Sequence, residues 1–298
     1  MKLRVAENFR AVFYAPFYAI RALGLAEREG LAVEWLPSGA PGSTIGEVKR
    51  GGIDAQWGGP MRVLKDHDST PADGARLVCF GEVVGRDPFY LIGRKNQPSF
   101  GLKDLAAMRL GVVSEVPTPW YCLRADLEDA GVDTTTLRTM KNLTMPQQVD
   151  ALLAGKLDAA QLFEPYASRA LADGNAILYA ASSRGPTCYT TFICSREGVS
   201  RRREEFAALT RATQAMLDWV AEKGPAELAR VTASFFPDVQ PDLLRSALER
   251  YHRAGLWSRT TAVSKAGFDR LAYGLHAGGF IAHRATYAEC VRDFGRPA

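Results

Sequence analysis

Short apolar runs alternate with segments of helical spacing along most of the chain, and glycine or proline punctuates the joins. Residues 3–7 predict a first strand. The loop Asn8–Tyr14 then leads into a helix from about Pro16 to Arg28, with the proline in the first turn, where its missing N–H does no harm. Gly30 closes that helix and residues 31–36 predict a second strand. Ser38–Thr44 is a glycine- and proline-bearing turn that opens the next helix. This βαβαβ order predicts a parallel sheet with helices on both faces.

The clearest unit is Met145–Tyr166, MPQQVDALLAGKLDAAQLFEPY. Val149, Leu152 and Leu153 give a helix its apolar face, and Gly155 stands where a left-handed C-cap residue belongs. Lys156–Leu162 is a short strand, and Phe163-Glu164-Pro165 ends it because proline cannot donate to a sheet ladder. The same grammar occurs at Ser43–Pro60: a helix closing on Gly51-Gly52, a strand over 53–57, and a Gly58-Gly59-Pro60 turn. Asp54 and Asp158, at matching places in GGIDAQ and GKLDAAQ, lie about 104 residues apart. That is too far for a solenoid, whose period is roughly 20–50 residues. It predicts two α/β lobes of similar build.

Between and after the copies, strands are predicted over 75–83, 89–93, 109–113, 176–180 and 189–195. A short helix is predicted over 102–107, one over about 120–130 with Thr118 as N-cap, and one from the Phe163–Pro165 turn to about Asp173. From Glu204 the pattern is helical: 204–223, 226–234, 241–253, 264–277, and a last helix to about Asp293. Gly85–Pro88 reads as a crossing point between lobes. The expected division is a discontinuous first lobe, residues 1–86 and 196–298, with a second lobe, 87–195, inserted.

Composition narrows the functional classes. The 298 residues are 47% hydrophobic and 23% charged, with a net charge of +4 spread along the chain. Arg201-Arg202-Arg203 runs straight into Glu204-Glu205, a solvated helix start rather than a nucleic-acid patch. Five cysteines without a CxxC pair argue against a disulfide framework or a structural zinc site. Cys79, Cys194 and Cys290 read as small buried hydrophobes. His67, His252, His276 and His283 share no metal-ligand spacing. No GxSxG, P-loop or HExxH motif and no paired catalytic carboxylates stand out, so no catalytic residue, metal or cofactor is expected. No run approaches the roughly 20 apolar residues of a membrane span. No signal peptide precedes the first strand, so the expected location is cytoplasmic, or periplasmic if a leader has been removed.

The order of these elements resembles the type II periplasmic-binding-protein fold: strand, aromatic-rich loop, helix, glycine turn, G-x-[IL]-D-A strand, insert, second G-x-[IL]-D-A strand, F-E-P turn, helical tail. More narrowly, it is similar to the nitrate/sulfonate/taurine and thiamine-pyrimidine group of solute-binding proteins, over essentially the whole chain. The resemblance implies two doubly wound lobes that close on a small anionic or heteroaromatic molecule, with an ABC-type membrane permease as partner. The thiamine-pyrimidine synthases of that group place a lysine and a histidine in the turn after the first G-x-[IL]-D strand, and a cysteine cluster before the 188–194 region. Here the turn is Gly58-Gly59-Pro60-Met61-Arg62, and the cluster is reduced to Cys188 and Cys194. A synthase-like enzyme and a cytoplasmic small-molecule sensor are the alternative readings.

In open sheets of this kind the ligand crevice lies beyond the carboxyl ends of the strands. That selects the turns Asn8–Tyr14, Ser38–Thr44, Trp57–Met61, Ser114–Trp120 and Glu164–Tyr166, bordered by the crossings near Glu82–Asp87 and Cys188–Tyr189. The candidate binding residues are Asn8, Arg10, Phe13, Tyr14, Ser43, Thr44, Trp57, Gly58, Gly59, Glu82, Arg86, Thr118, Trp120, Glu164, Tyr166 and Tyr189. Ser43, Thr44 and Thr118 either cap their own helices or help hold an anion at a helix N-terminus. Phe9 and the other aromatic residues suit a planar ligand or simply fill the lobes. Glu164 either accepts hydrogen bonds from a heterocycle or pairs with an arginine such as Arg86 or Arg184. Arg10 and Arg62 are further candidates for an anionic group.

Overall fold

The repeat read from the sequence is a repeat in three dimensions. The structure, a computed structural model, describes residues 1–70, 74 and 77–295. Its first strands are β1 (Lys2–Ala6), β2 (Ala32–Leu36), β3 (Ala55–Gly58) and β4 (Leu77–Val84). After them come β5 (Tyr90–Gly93), β6 (Arg109–Gly111), β7 (Arg138–Met140), β8 (Ala159–Leu162), β9 (Ala176–Ala180) and β10 (Thr190–Ser195). One sheet has the order β2-β1-β3-β10-β4 and the other β7-β6-β8-β5-β9, so the two correspond position for position.

Each motif aspartate is the staple of its copy. Asp158 accepts the Arg109 backbone N–H at 2.9 Å and that arginine's Nη2 at 2.8 Å, and Nη2 also reaches the Gly155 carbonyl. Asp54 accepts the Arg4 N–H at 2.7 Å, and Arg4 Nη2 reaches the Gly51 carbonyl. Gly51 and Gly155 both take a positive φ, 74° and 68°, which admits glycine at little steric cost. The motif therefore joins the helix C-cap to the start of the neighbouring strand, and its aspartates are structural.

The Arg109 hydrogen bonds hold the Asp158 carboxyl down at about 2, against a smaller opposing effect of burial. A carboxyl depressed on folding stabilises above its unfolded value of about 3.9, and that contribution is lost as pH falls through the folded value. Urea midpoints measured between pH 5 and pH 2 are expected to fall more steeply for the wild type than for Asp158→Asn. Equal slopes would remove the staple from the acid limb.

The helices of the first half are α1 (Ala15–Ala22), α2 (Leu25–Arg28), α3 (Ile45–Arg50) and α4 (Met61–Ser69). The helix expected over 16–28 is in fact α1 and α2, broken at Gly24, whose φ of 61° leaves the helical region. The second half has α5 (Thr118–Asp129), α6 (Met145–Leu153) and α7 (Tyr166–Ala172). The tail has α8 (Arg196–Arg201), α9 (Arg203–Thr232), α10 (Pro241–Arg253), α11 (Lys265–Ala277) and α12 (Tyr287–Cys290). Two expected tail helices run on as α9 across a kink at Gly224-Pro225, and the expected last helix is only the short α12.

Two further expectations change. Neither sheet is purely parallel: β10 runs antiparallel to β3 and β4, and β5 to β8 and β9, because each chain crossing delivers one strand in reverse. β10 pairs within the first sheet, so residues 190–195 leave the inserted lobe expected over 87–195. The strand expected over 75–83 is described from Leu77; Ala75 and Arg76 lie outside the described residues. β7 was not expected at all. Its three residues are largely exposed and carry no alternation.

The two crossings are tied to each other. Tyr189 N–H donates to the Val84 carbonyl at 2.9 Å and Thr187 N–H to the Gly85 carbonyl at 2.8 Å. The tail reaches both halves: an added Cβ on Gly274 of α11 would lie 3.1 Å from Cys122 Sγ on α5. On α10, Arg250 Nε donates to Glu164 at 2.7 Å, and Tyr251 Oη accepts the Glu164 N–H. All five cysteines are buried and free.

Candidate functional site

Between the two halves lies a cavity of about 330 Å³, counting its mouth. The first half contributes Asn8, Phe13, Tyr14 and Arg62, the second half contributes Val116 to Thr118, and Tyr189 stands at the crossing. The first-half side chains leave the ends of β1 and β3 or begin the elements that follow, which is where the strand-end rule puts a crevice. The halves are close here. An added Cβ on Gly59 would lie 3.9 Å from Thr118 Oγ1 and 3.6 Å from the Tyr189 carbonyl oxygen.

Asn8 is the hub. Its Oδ1 accepts the Gly42 N–H at 2.8 Å and Arg62 Nη2 at 3.2 Å, and its Nδ2 donates to Tyr14 Oη at 3.5 Å. Two donors converging on one atom identify that atom as the carbonyl oxygen. Phe13 and Tyr189 meet edge to face at 6.1 Å, and Phe9 meets Tyr14 at 5.4 Å, so the remaining wall is aromatic. Burial pushes the Tyr14 phenol up, while the Asn8 hydrogen bond and the Arg62 charge pull the other way.

Arg62 sets the electrostatics. Among the described residues no carboxylate lies within ion-pairing distance of its guanidinium, and its Nε is buried without a hydrogen-bond partner. Burial pulls its pKa down from the ordinary arginine value, and the Tyr14 phenol offsets that only in part. A buried unpaired cation is costly, and an anion is the group that would relieve it. The N-terminus of α5 also faces this space. Thr118 is its first residue, with Pro117 before it and no side-chain cap, and helix N-termini favour negative charge.

The expected residues divide. Asn8, Phe13, Tyr14, Gly59, Thr118 and Tyr189 line the cavity together with Phe9 and Arg62. Gly58 adjoins it, 3.5 Å from Asn8 by its would-be Cβ. Thr118 is not the N-cap that its sequence context suggested. Ser43 and Thr44 neither cap nor line: Ser43 Oγ meets Ser38 Oγ at 2.9 Å, and Thr44 Oγ1 donates to Gln56 Oε1 at 2.6 Å.

Several candidates are spent elsewhere. Arg10 contacts Glu7 at 3.4 Å and lines a different cavity, together with Trp57, which stacks on Phe17. Glu82 accepts from Ser258 at 2.7 Å, and Arg86 donates to the Ser182 carbonyl. Glu164 is fully buried and pairs with Arg250 at 2.7 Å, so its partner is neither Arg86 nor Arg184. Trp120 lies beneath Lys141, and Tyr166 packs edge-on against Phe163 at 5.8 Å. The residue undervalued in the sequence is Arg62. Its signal was a cation two residues after a Gly-Gly-Pro turn at a strand end, where a first helical turn faces the crevice.

The model of the NMT1-like family matches residues 90–236. YtlA of Bacillus subtilis (strain 168), whose name describes it provisionally as a binding protein, is 22% identical over 97% of this chain and 87% of its own. The alkanesulfonate-binding protein SsuA from Xanthomonas axonopodis pv. citri, solved bound to MOPS, superposes with a TM-score of 0.73 at 16% identity over 98% of both chains. The chain has the type II periplasmic-binding-protein fold. That fold also carries catalysis. The desulfurization enzyme DszB superposes with a TM-score of 0.66 at 15% identity, over 98% of this chain and 97% of its own. On the periplasmic-binding-protein fold, then, the site rather than the architecture has to decide between carrying and converting a ligand.

Proposed function

We propose that the chain is a solute-binding protein that captures a small organic anion between its two halves for an ABC-type importer. The observation that carries this reading is Arg62: a largely buried guanidinium, held by Asn8, facing the interlobe cavity without a carboxylate among the described residues. Thr118 and the α5 N-terminus favour the same charge from the opposite half. The aromatic wall of Phe9, Phe13, Tyr14 and Tyr189 suits an apolar or flat body behind the anionic head. A sulfonate or carboxylate on a small carbon frame meets both requirements. SsuA, which binds alkanesulfonates and was solved with the sulfonate MOPS, and YtlA, described as a binding protein, support it by similarity. Closure would use the paired crossings as the hinge, driven by contacts that exist only when both halves touch the ligand.

The partner under this reading is a membrane permease and the working compartment is the periplasm or cell exterior. Among the described residues no helix is long and apolar enough to cross a membrane. The test is a thermal-shift panel of alkyl and aryl sulfonates, short carboxylates, nitrate, and neutral aminopyrimidines. Ligand at about 100 times its Kd adds ~2.7 kcal/mol to stability, enough for a shift of several degrees. An organic anion in the panel is expected to produce that shift. Stabilisation by neutral heterocycles alone would overturn the reading.

A further inference from the structure

A second cavity, of about 530 Å³ counting its open mouth, lies on the other side of the Glu7–Arg10 loop. Asn8 and Phe9 face the interlobe cavity, whereas Glu7 and Arg10 line this one with Tyr18, Trp35, Trp57 and Phe235. None of its lining residues comes from the half that carries the second sheet, so it exists whether or not the halves close.

Its walls are flat rings. The Trp57 indole stacks on Phe17 at 5.2 Å and 11°, with Trp35 tilted at 6.0 Å, and Tyr18 stacks on Phe235 at 4.9 Å. Two polar groups in this lining are left under-used. Trp57 is 3% exposed, yet its Nε1–H has no hydrogen-bond partner. By contrast, the other largely buried indole, Trp257, donates to the Phe13 carbonyl at 3.1 Å. Glu7, 5% exposed, accepts the Tyr18 hydroxyl on Oε2 at 2.6 Å, while Oε1 has only a 3.4 Å contact with the half-exposed Arg10. A buried indole N–H without an acceptor is a cost that folded proteins rarely leave standing.

We infer that this cavity is a second small-molecule site, for a flat neutral aromatic compound with an amide-like edge. The compound's carbonyl would accept from Trp57 Nε1 and its N–H would donate to Glu7. Neutrality follows from the charges of the lining: Glu7 and Arg10 compensate each other, and Arg21, the remaining charge, is exposed to solvent with its guanidinium over the Phe235 ring at 5.6 Å. The site is independent of the anion in the cleft, so neither reading stands or falls with the other.

The five tryptophans make the test direct, because each indole N–H gives its own NMR signal in the ¹⁵N-labelled full-length protein. The Trp57 signal is assigned by single Trp→Phe variants; should Trp57→Phe not fold, the signal left over by the other four is Trp57. Quinolin-2-one, which carries both carbonyl and N–H, is the probe. It is expected to shift the Trp57 signal saturably and to do so equally in Arg62→Ala. Indole, equally flat but without an acceptor, is expected to bind at least tenfold more weakly. An unmoved Trp57 signal up to the solubility limit of the probe overturns the proposal. So does equal affinity for indole, which reports apolar partitioning, or loss of the shift in Arg62→Ala, which places the probe in the cleft.

Discussion

Replacing Arg62 with methionine is expected to weaken capture of a small sulfonate or carboxylate by about 100-fold, or ~2.7 kcal/mol, while making the ligand-free protein no less stable. The two effects share one cause. Arg62 is largely buried, has no carboxylate partner among the described residues, and keeps one unpartnered Nε. In the empty protein that arrangement is a desolvation penalty, which methionine removes while filling much the same volume. In the complex the same guanidinium makes charge-assisted hydrogen bonds, each worth about 1.5–3 kcal/mol net. Arg62→Lys should retain part of the binding, because an ammonium keeps the charge but loses the fork that Asn8 now orients at 3.2 Å. Titration calorimetry and urea unfolding of the same samples separate the terms. Wild-type affinity in Arg62→Met would remove the arginine from the site. Lower stability of the empty variant would mark Arg62 as structural instead.

How far the chain could be read before its structure was in view depends on the range of the interactions involved. Local grammar was legible. β9 and α10 fall where the pattern placed them, and the two G-x-[IL]-D-A units emerged as matching strands because glycine, aspartate and proline act within a few residues. The break at Gly24 was less so, since a single glycine inside an apolar periodicity looks like a tolerated residue until its φ is known. Lobe membership of β10 was ambiguous for a different reason: an apolar run carries no sign of which sheet it joins.

For the cavity, the strand-end rule selected five turns, of which three contribute to its lining, but could not choose among the side chains within them. Asn8 and Arg10 sit two residues apart, yet one orients Arg62 in the cleft and the other turns to Glu7. Glu164 looked available because its partner, Arg250, lies 86 residues downstream in the tail. Ser43 and Thr44 had helix-capping chemistry but were engaged by Ser38 and Gln56. Partners far away in sequence decide which polar residue is free, and free polar groups are what make a binding site.

Arg184→Met is expected to destabilise the protein by about 3–5 kcal/mol at neutral pH, more than removal of a surface ion pair would. Arg184 Nη1 pairs with Asp87 at 2.9 Å, and its Nε donates to Asp126 of α5, also at 2.9 Å; Asp87 itself is 1% exposed. Asp87 lies in the first crossing and Arg184 precedes the second, so the triad ties both crossings to the helix whose N-terminus faces the cleft. Burial works against the Arg184 charge, but the two aspartates outweigh it and hold its pKa well above the ordinary value. For Asp87, burial wins and pushes the carboxyl up even with the arginine present. Removing the arginine pushes it further. A carboxyl raised on folding costs stability once pH exceeds its unfolded value of about 3.9, because the unfolded chain ionises first. The penalty in Arg184→Met should therefore grow from about pH 4 towards neutrality, the opposite slope to that of the Asp158 staple. Adding Asp87→Asn to Arg184→Met removes the stranded carboxylate and should recover most of the loss and flatten the pH profile. Denaturant midpoints of the single and double variants at pH 4 and pH 7 decide the matter. A penalty independent of pH, or no recovery in the double variant, would mean that Arg184 acts through packing rather than by compensating the buried charges beside the crossings.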